Sequence, residues 1–90
     1  MATAKHYVVH GLVQGVGYRF FALNCAETVG VAGWVRNLPD GTVEAFAEGA
    51  PERLEAFAAQ LRRGPRYSVV ERLDEEDAEP AGNVGFRQVR

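Results

Sequence analysis

The apolar positions of the chain change period several times between Lys5 and Val89. Lys5 to Val13 is dense in β-branched and aromatic residues and stops at a glycine-rich stretch, which predicts a strand leading into a loop. After the loop Gln14-Gly15-Val16-Gly17, residues Tyr18, Phe21, Ala22, Cys25, Ala26 and Val29 recur at helical spacing and draw one apolar stripe. Gly30 stands where such a helix ends. Val31 to Leu38 and Thr42 to Glu48 predict two further strands, and the turn sequence Pro39-Asp40-Gly41 between them makes the pair a hairpin. A second helical stripe, Leu54, Phe57, Ala58 and Leu61, opens behind Pro51 and stops at Gly64-Pro65.

Ser68 to Leu73 predicts a fourth strand. The following Asp74 to Asn83 is acidic and rich in breakers, which predicts a solvated loop, and Phe86 to Val89 a short C-terminal edge strand. The resulting order, β-α-β-β-α-β, is the split βαβ pattern of a ferredoxin-like sandwich in the α+β class: an antiparallel sheet with two helices on one face. A chain of 90 residues holds one hydrophobic core and is too short for two, so residues 1–90 are expected to form a single domain.

Composition narrows the function classes. Hydrophobic content of 47% with 24% charge is that of an ordinary globular chain. No apolar run reaches the roughly 18 residues needed to cross a bilayer, so no membrane association is expected. The single cysteine, Cys25, excludes an internal disulfide and a cysteine metal cage, in keeping with a cytoplasmic location. A net charge of −2 with scattered basic residues leaves no broad footprint for nucleic acid. A small anion held by one or two arginines is compatible with this charge.

The segment Gly11-Leu12-Val13-Gln14-Gly15-Val16-Gly17-Tyr18-Arg19 places three glycines between a strand and a helix. Successive N–H groups in such a loop can turn inward as an anion nest, and the helix that follows adds the positive end of its dipole. Arg19, in the first helical turn, can close over the same anion with a two-pronged hydrogen bond. The loop has neither the Gly-Lys-Ser/Thr of a nucleotide P-loop nor the Gly-x-Gly-x-x-Gly spacing of a dinucleotide site.

Together with Gly33-Trp34-Val35-Arg36-Asn37, Gly41, Val43 and Gly49, this loop resembles the acylphosphatase family. The first family pattern is matched by Gly11, Val13, Gln14, Gly15, Val16, Tyr18 and Arg19, with Tyr18 where phenylalanine is commoner and Leu12 where a basic residue is frequent. The resemblance implies hydrolysis of a small acyl phosphate, a carboxyl–phosphate mixed anhydride, to carboxylate and inorganic phosphate. It implies Arg19 and Asn37 as the catalytic pair, the phosphate held by Gln14, Gly15, Val16, Gly17, Tyr18 and Arg19, and no metal or other cofactor. The chemistry of the two side chains agrees. Phosphoryl transfer needs neutralised oxygens and an in-line nucleophile, and an asparagine amide can orient a water although it cannot deprotonate one.

The remaining polar and aromatic residues suggest less. His6 and His10 share a strand face but lack a third ligand, so they predict no metal site. Cys25 lies in an apolar stripe and is expected to be inert, and Trp34 to pack or to border the cleft. The expected protein is a monomeric enzyme. Its main rival is a non-catalytic acylphosphatase-like accessory domain acting inside a larger assembly. An RNA-binding sandwich is a weaker rival, because no ribonucleoprotein motif is present.

Overall fold

The computed structural model describes residues 2–90. Its elements are β1 (Thr3–Leu12), α1 (Tyr18–Val29), β2 (Ala32–Asn37), β3 (Val43–Gly49), α2 (Pro51–Arg63), β4 (Val69–Ala78) and β5 (Phe86–Gln88). The five strands form one sheet in the order β4-β1-β3-β2-β5. Four strands pair antiparallel, and β5 runs parallel to β2, so the sheet is mixed. This is the ferredoxin-like arrangement expected from the order of the elements.

Alternation decides which residues reach the core. Tyr7 and Val9 on β1, Val35 on β2, and Val43, Ala45 and Ala47 on β3 point to the helix-covered face and are fully buried. Against them pack Tyr18, Ala22 and Ala26 of α1 and Leu54, Phe57, Ala58 and Leu61 of α2. Tyr7, Phe57 and Phe86 form a chain of edge-on aromatic contacts, each with ring centroids 5.6 Å apart. The other face of the sheet is bare. There Trp34 stacks on Phe46, and Arg36 lies over the Trp34 ring.

One expectation is overturned. Asp74 to Ala78 is not loop but the second half of β4, paired with β1 from Ala4 to Val8. Its charge does not prevent pairing because β4 is an edge strand and its acidic side chains find partners. Asp77 meets Lys5 at 2.9 Å, Asp74 meets Arg72 and His10, and Glu75 meets Arg62. A charged edge also discourages pairing with other chains.

Only residues 79–85 are left to carry the chain from β4 on one edge of the sheet to β5 on the other. Four strand spacings make this about 19 Å, within reach of so short a segment only if it crosses directly beneath the strand ends. Glu48, buried near the end of β3, fixes it midway. Its carboxylate accepts the backbone N–H groups of Ala81, Gly82 and Asn83 and the Asn83 amide at 2.7 to 3.3 Å. Burial alone would raise the Glu48 pKa, but these donors outweigh it and hold the carboxyl below its ordinary value.

Candidate active site

The opposite end of the sheet, where β1, β2 and β5 all finish, meets the start of α1. Residues 13–17 join β1 to α1 there, with Gly15 at φ 76° and Gly17 at φ 77°, a left-handed conformation that a side chain rarely adopts. Gly17 is the N-cap of α1. It supplies no side-chain cap, and the first turn holds no acidic residue. The first bond of the helix runs from the Phe21 N–H to the Gly17 carbonyl at 3.0 Å. The N–H groups of Tyr18, Arg19 and Phe20 are thus left to the positive end of an uncompensated helix dipole.

A cleft of about 210 Å³ opens at this point, lined by Val13, Gly15, Gly17, Tyr18, Arg19, Phe20, Asn37 and Gln88. Arg19 comes from the first turn of α1. Asn37 is the last residue of β2 and lies on the same face as buried Val35, two residues earlier. Among the described residues, neither the Arg19 guanidinium nor the Asn37 amide has a hydrogen-bonded or ionic partner, and no carboxylate lines the cleft.

Loop and hairpin are tied together by Gln14. Its Nε2 donates to the carbonyls of Leu38 (2.7 Å) and Thr42 (2.9 Å), the two residues that close the β2–β3 turn. That turn is itself stiffened by Asp40, whose carboxylate accepts the Thr42 hydroxyl and N–H. Those bonds, the hydroxyl first, hold the Asp40 carboxyl below its ordinary pKa. The distance between the loop and Asn37 is therefore set by a two-pronged side-chain strut.

Of the residues expected to hold phosphate, Gly15, Gly17, Tyr18 and Arg19 line the cleft, while Gln14 and Val16 do not. The Gln14 amide is spent on the hairpin, and Val16 packs against the core. Tyr18 lines the cleft but does not turn its hydroxyl to it. Its ring is buried between the helices and its hydroxyl donates to the Leu61 carbonyl at 2.6 Å. That carbonyl has no helical donor, because the residue four positions on is Pro65, which lacks an N–H.

Phe20 and Gln88 belong to the cleft and were not singled out by the sequence. The same-face rule gives Gln88 from buried Phe86, but only once β5 is known to lie beside β2. The two histidines do share a face, yet each is bound to its own carboxylate, His6 to Glu44 at 2.6 Å and His10 to Asp74 at 2.9 Å. No group of three or more potential metal ligands occurs among the described residues. Cys25 is half-buried, and burial pushes its thiol pKa up.

The acylphosphatase family profile matches residues 5–88. An acylphosphatase of Thermococcus kodakarensis is 49% identical over 84 residues, covering 93% of this chain and 92% of that one. The crystal structure of acylphosphatase from Bacillus subtilis superposes with a TM-score of 0.94 at 34% identity, covering 100% of both chains. Full-length HypF in its phosphate- and nucleotide-bound form contains a similar unit, with a TM-score of 0.88 at 26% identity, of which this chain covers 12%. A profile spanning all but the chain ends, and a relative of nearly equal length at almost half identity, agree with the fold: the chain belongs to the acylphosphatase family of acyl phosphate hydrolases.

Proposed function

We propose that the cleft at the start of α1 is where an acyl phosphate is hydrolysed, with Arg19 and the N–H groups of the Gly15–Arg19 segment holding the phosphate and Asn37 orienting the attacking water. The observation that carries this reading is the sharing of one small cleft by an arginine without a carboxylate partner, an open helix N-terminus and a free asparagine amide. Arg19 and the N–H groups neutralise charge on the equatorial phosphate oxygens. Asn37 accepts a hydrogen bond from the water through its carbonyl and so fixes the direction of attack.

The water oxygen bonds to phosphorus as the bond from phosphorus to the acyl oxygen breaks. The electron pair of that bond leaves with the carboxylate, and the water's proton passes to a phosphate oxygen. The leaving group is weakly basic and departs unprotonated, so the absence of an acidic side chain from the lining is no obstacle. No step uses a metal or other cofactor.

The test is turnover of benzoyl phosphate by the chain alone, as wild type, Arg19→Ala and Asn37→Ala. Arg19→Ala is expected to cut kcat/KM by about 10³-fold or more, the scale of a cationic group in phosphoryl transfer, and to weaken inorganic phosphate. Asn37→Ala is expected to lower kcat strongly and leave phosphate inhibition nearly intact, since its contact is to water. Equal loss of phosphate affinity in both variants refutes the division of roles. Absence of turnover by the wild-type chain alone favours the accessory-domain reading.

A further inference from the structure

Arg19 and the open N–H groups account for the phosphate half of the substrate, but the cleft continues past them. Phe20 and Gln88 line it together with Asn37. Phe20 is 63% exposed. Isolated exposed apolar side chains are ordinary, and the chain has others in Leu12, Tyr67, Val69 and Val84. Phe20 alone among these five borders the cleft that holds Arg19. It follows Arg19 directly in the first turn of α1, and the two line one cleft of about 210 Å³, so a ligand whose anionic end sits on Arg19 lies within reach of the Phe20 ring. Gln88 ends β5, beside Val35 and therefore next to Asn37. Its side-chain amide makes no hydrogen bond among the described residues. A volume of about 210 Å³ is smaller than the roughly 300 Å³ at which sites for drug-sized ligands begin. It suits a phosphate with its mixed-anhydride carbonyl inside and the rest of the acyl group at the mouth.

We propose that Phe20 and Gln88 form the acyl half of the site, the Phe20 ring covering the acyl substituent and the Gln88 amide donating to the acyl carbonyl oxygen, so that the enzyme favours aromatic or bulky apolar acyl phosphates over small ones. This rests on the phosphate reading above. An aromatic acyl group gains an offset or edge-on ring contact and covers apolar surface that a methyl group leaves wet. The carbonyl contact is common to every acyl phosphate. It strengthens as that oxygen takes up the charge of the departing carboxylate, so it acts on rate rather than on preference.

The two residues therefore predict different signatures. The experiment measures kcat/KM for benzoyl phosphate and acetyl phosphate with wild type, Phe20→Ala, Phe20→Tyr and Gln88→Leu. Phe20→Ala is expected to reduce the benzoyl-to-acetyl ratio about tenfold, near the lower end of what an apolar contact contributes to discrimination, and Phe20→Tyr to restore it. Gln88→Leu is expected to lower kcat/KM for both substrates by about tenfold while leaving the ratio alone. A ratio within twofold of wild type in Phe20→Ala, or unchanged rates in Gln88→Leu, overturns the inference. Competition by inorganic phosphate separates this from failure of the underlying reading. If phosphate inhibits wild type and Arg19→Ala equally, the phosphate is misplaced and the acyl site falls with it. If inhibition depends on Arg19 while the ratio stays fixed, only the acyl contacts are wrong.

Discussion

Two buried tyrosine hydroxyls offer a sharp test of how the site is held in place. The Tyr18 hydroxyl donates at 2.6 Å to the Leu61 carbonyl, joining the first turn of α1, where Arg19 sits, to the last turn of α2. The Tyr7 hydroxyl is equally buried but has no protein partner among the described residues. Burial raises the pKa of both phenols, so both stay protonated across the working range. Replacing Tyr18 by phenylalanine strands a buried carbonyl that Pro65 cannot serve, which costs about 1–3 kcal/mol. Taking the middle of that range, with each kcal/mol moving the midpoint of a domain this small by roughly 4–8 °C, Tyr18→Phe is expected to melt roughly 8–16 °C below wild type. Tyr7→Phe removes a hydroxyl without stranding a protein partner and is expected to melt at or above the wild-type temperature. Thermal unfolding of the three proteins by circular dichroism decides the matter. Equal shifts in the two variants would refute the hydrogen-bond argument and leave only ring packing.

Inorganic phosphate is expected to raise the melting temperature of wild type, by about 2.7 kcal/mol of linkage at a hundredfold excess over Kd, with ionic strength matched by chloride; Arg19→Ala should lose most of this shift and Asn37→Ala keep it. Glu48→Gln is expected to destabilise at neutral pH. The folded-state pKa of Glu48 lies below its unfolded value of about 4.3, so its contribution is complete above that value and is lost as the pH falls through the folded pKa; denaturant titrations should show the gap to wild type narrowing in acid, and a gap independent of pH would count against the carboxylate. Turnover is expected to survive EDTA and thiol blocking, because no carboxylate, imidazole or thiol lines the cleft; loss in EDTA reversed by a divalent cation would show a metal-dependent reaction.

The fold was legible where local period and tertiary burial agree. α1 begins at Tyr18 and ends at Val29, where its apolar stripe begins and ends, and Pro51 is the first residue of α2. The failure at Asp74 to Ala78 has a physical cause. Charge density argues for solvation only when nothing offsets it, and the offsetting groups Lys5, His10 and Arg62 lie far away in sequence. The role of Glu48 was hidden for the same reason: a carboxylate on an alternating strand gives no local sign that it will accept donors from residues 81–83. The parallel pairing of β5 likewise depends on a crossing that no periodicity reports.

The site divides along a similar line. Arg19 and Asn37 stand out in the sequence because their motifs are local, and the hairpin and the loop that carry them are joined by Gln14. The resemblance implies Gln14 as a phosphate contact; its side-chain amide is occupied by the Leu38 and Thr42 carbonyls, so a motif side chain can also set the spacing between segments of a site. Tyr18 makes the same point from the other side. It stands where phenylalanine is commoner, and the added hydroxyl donates to the Leu61 carbonyl left bare by Pro65. The substitution thus belongs to the joint between the helices, and preference must be sought in side chains that face the cleft. That condition directs attention to Phe20 and Gln88, which no motif marks and only the meeting of α1 with β5 brings together.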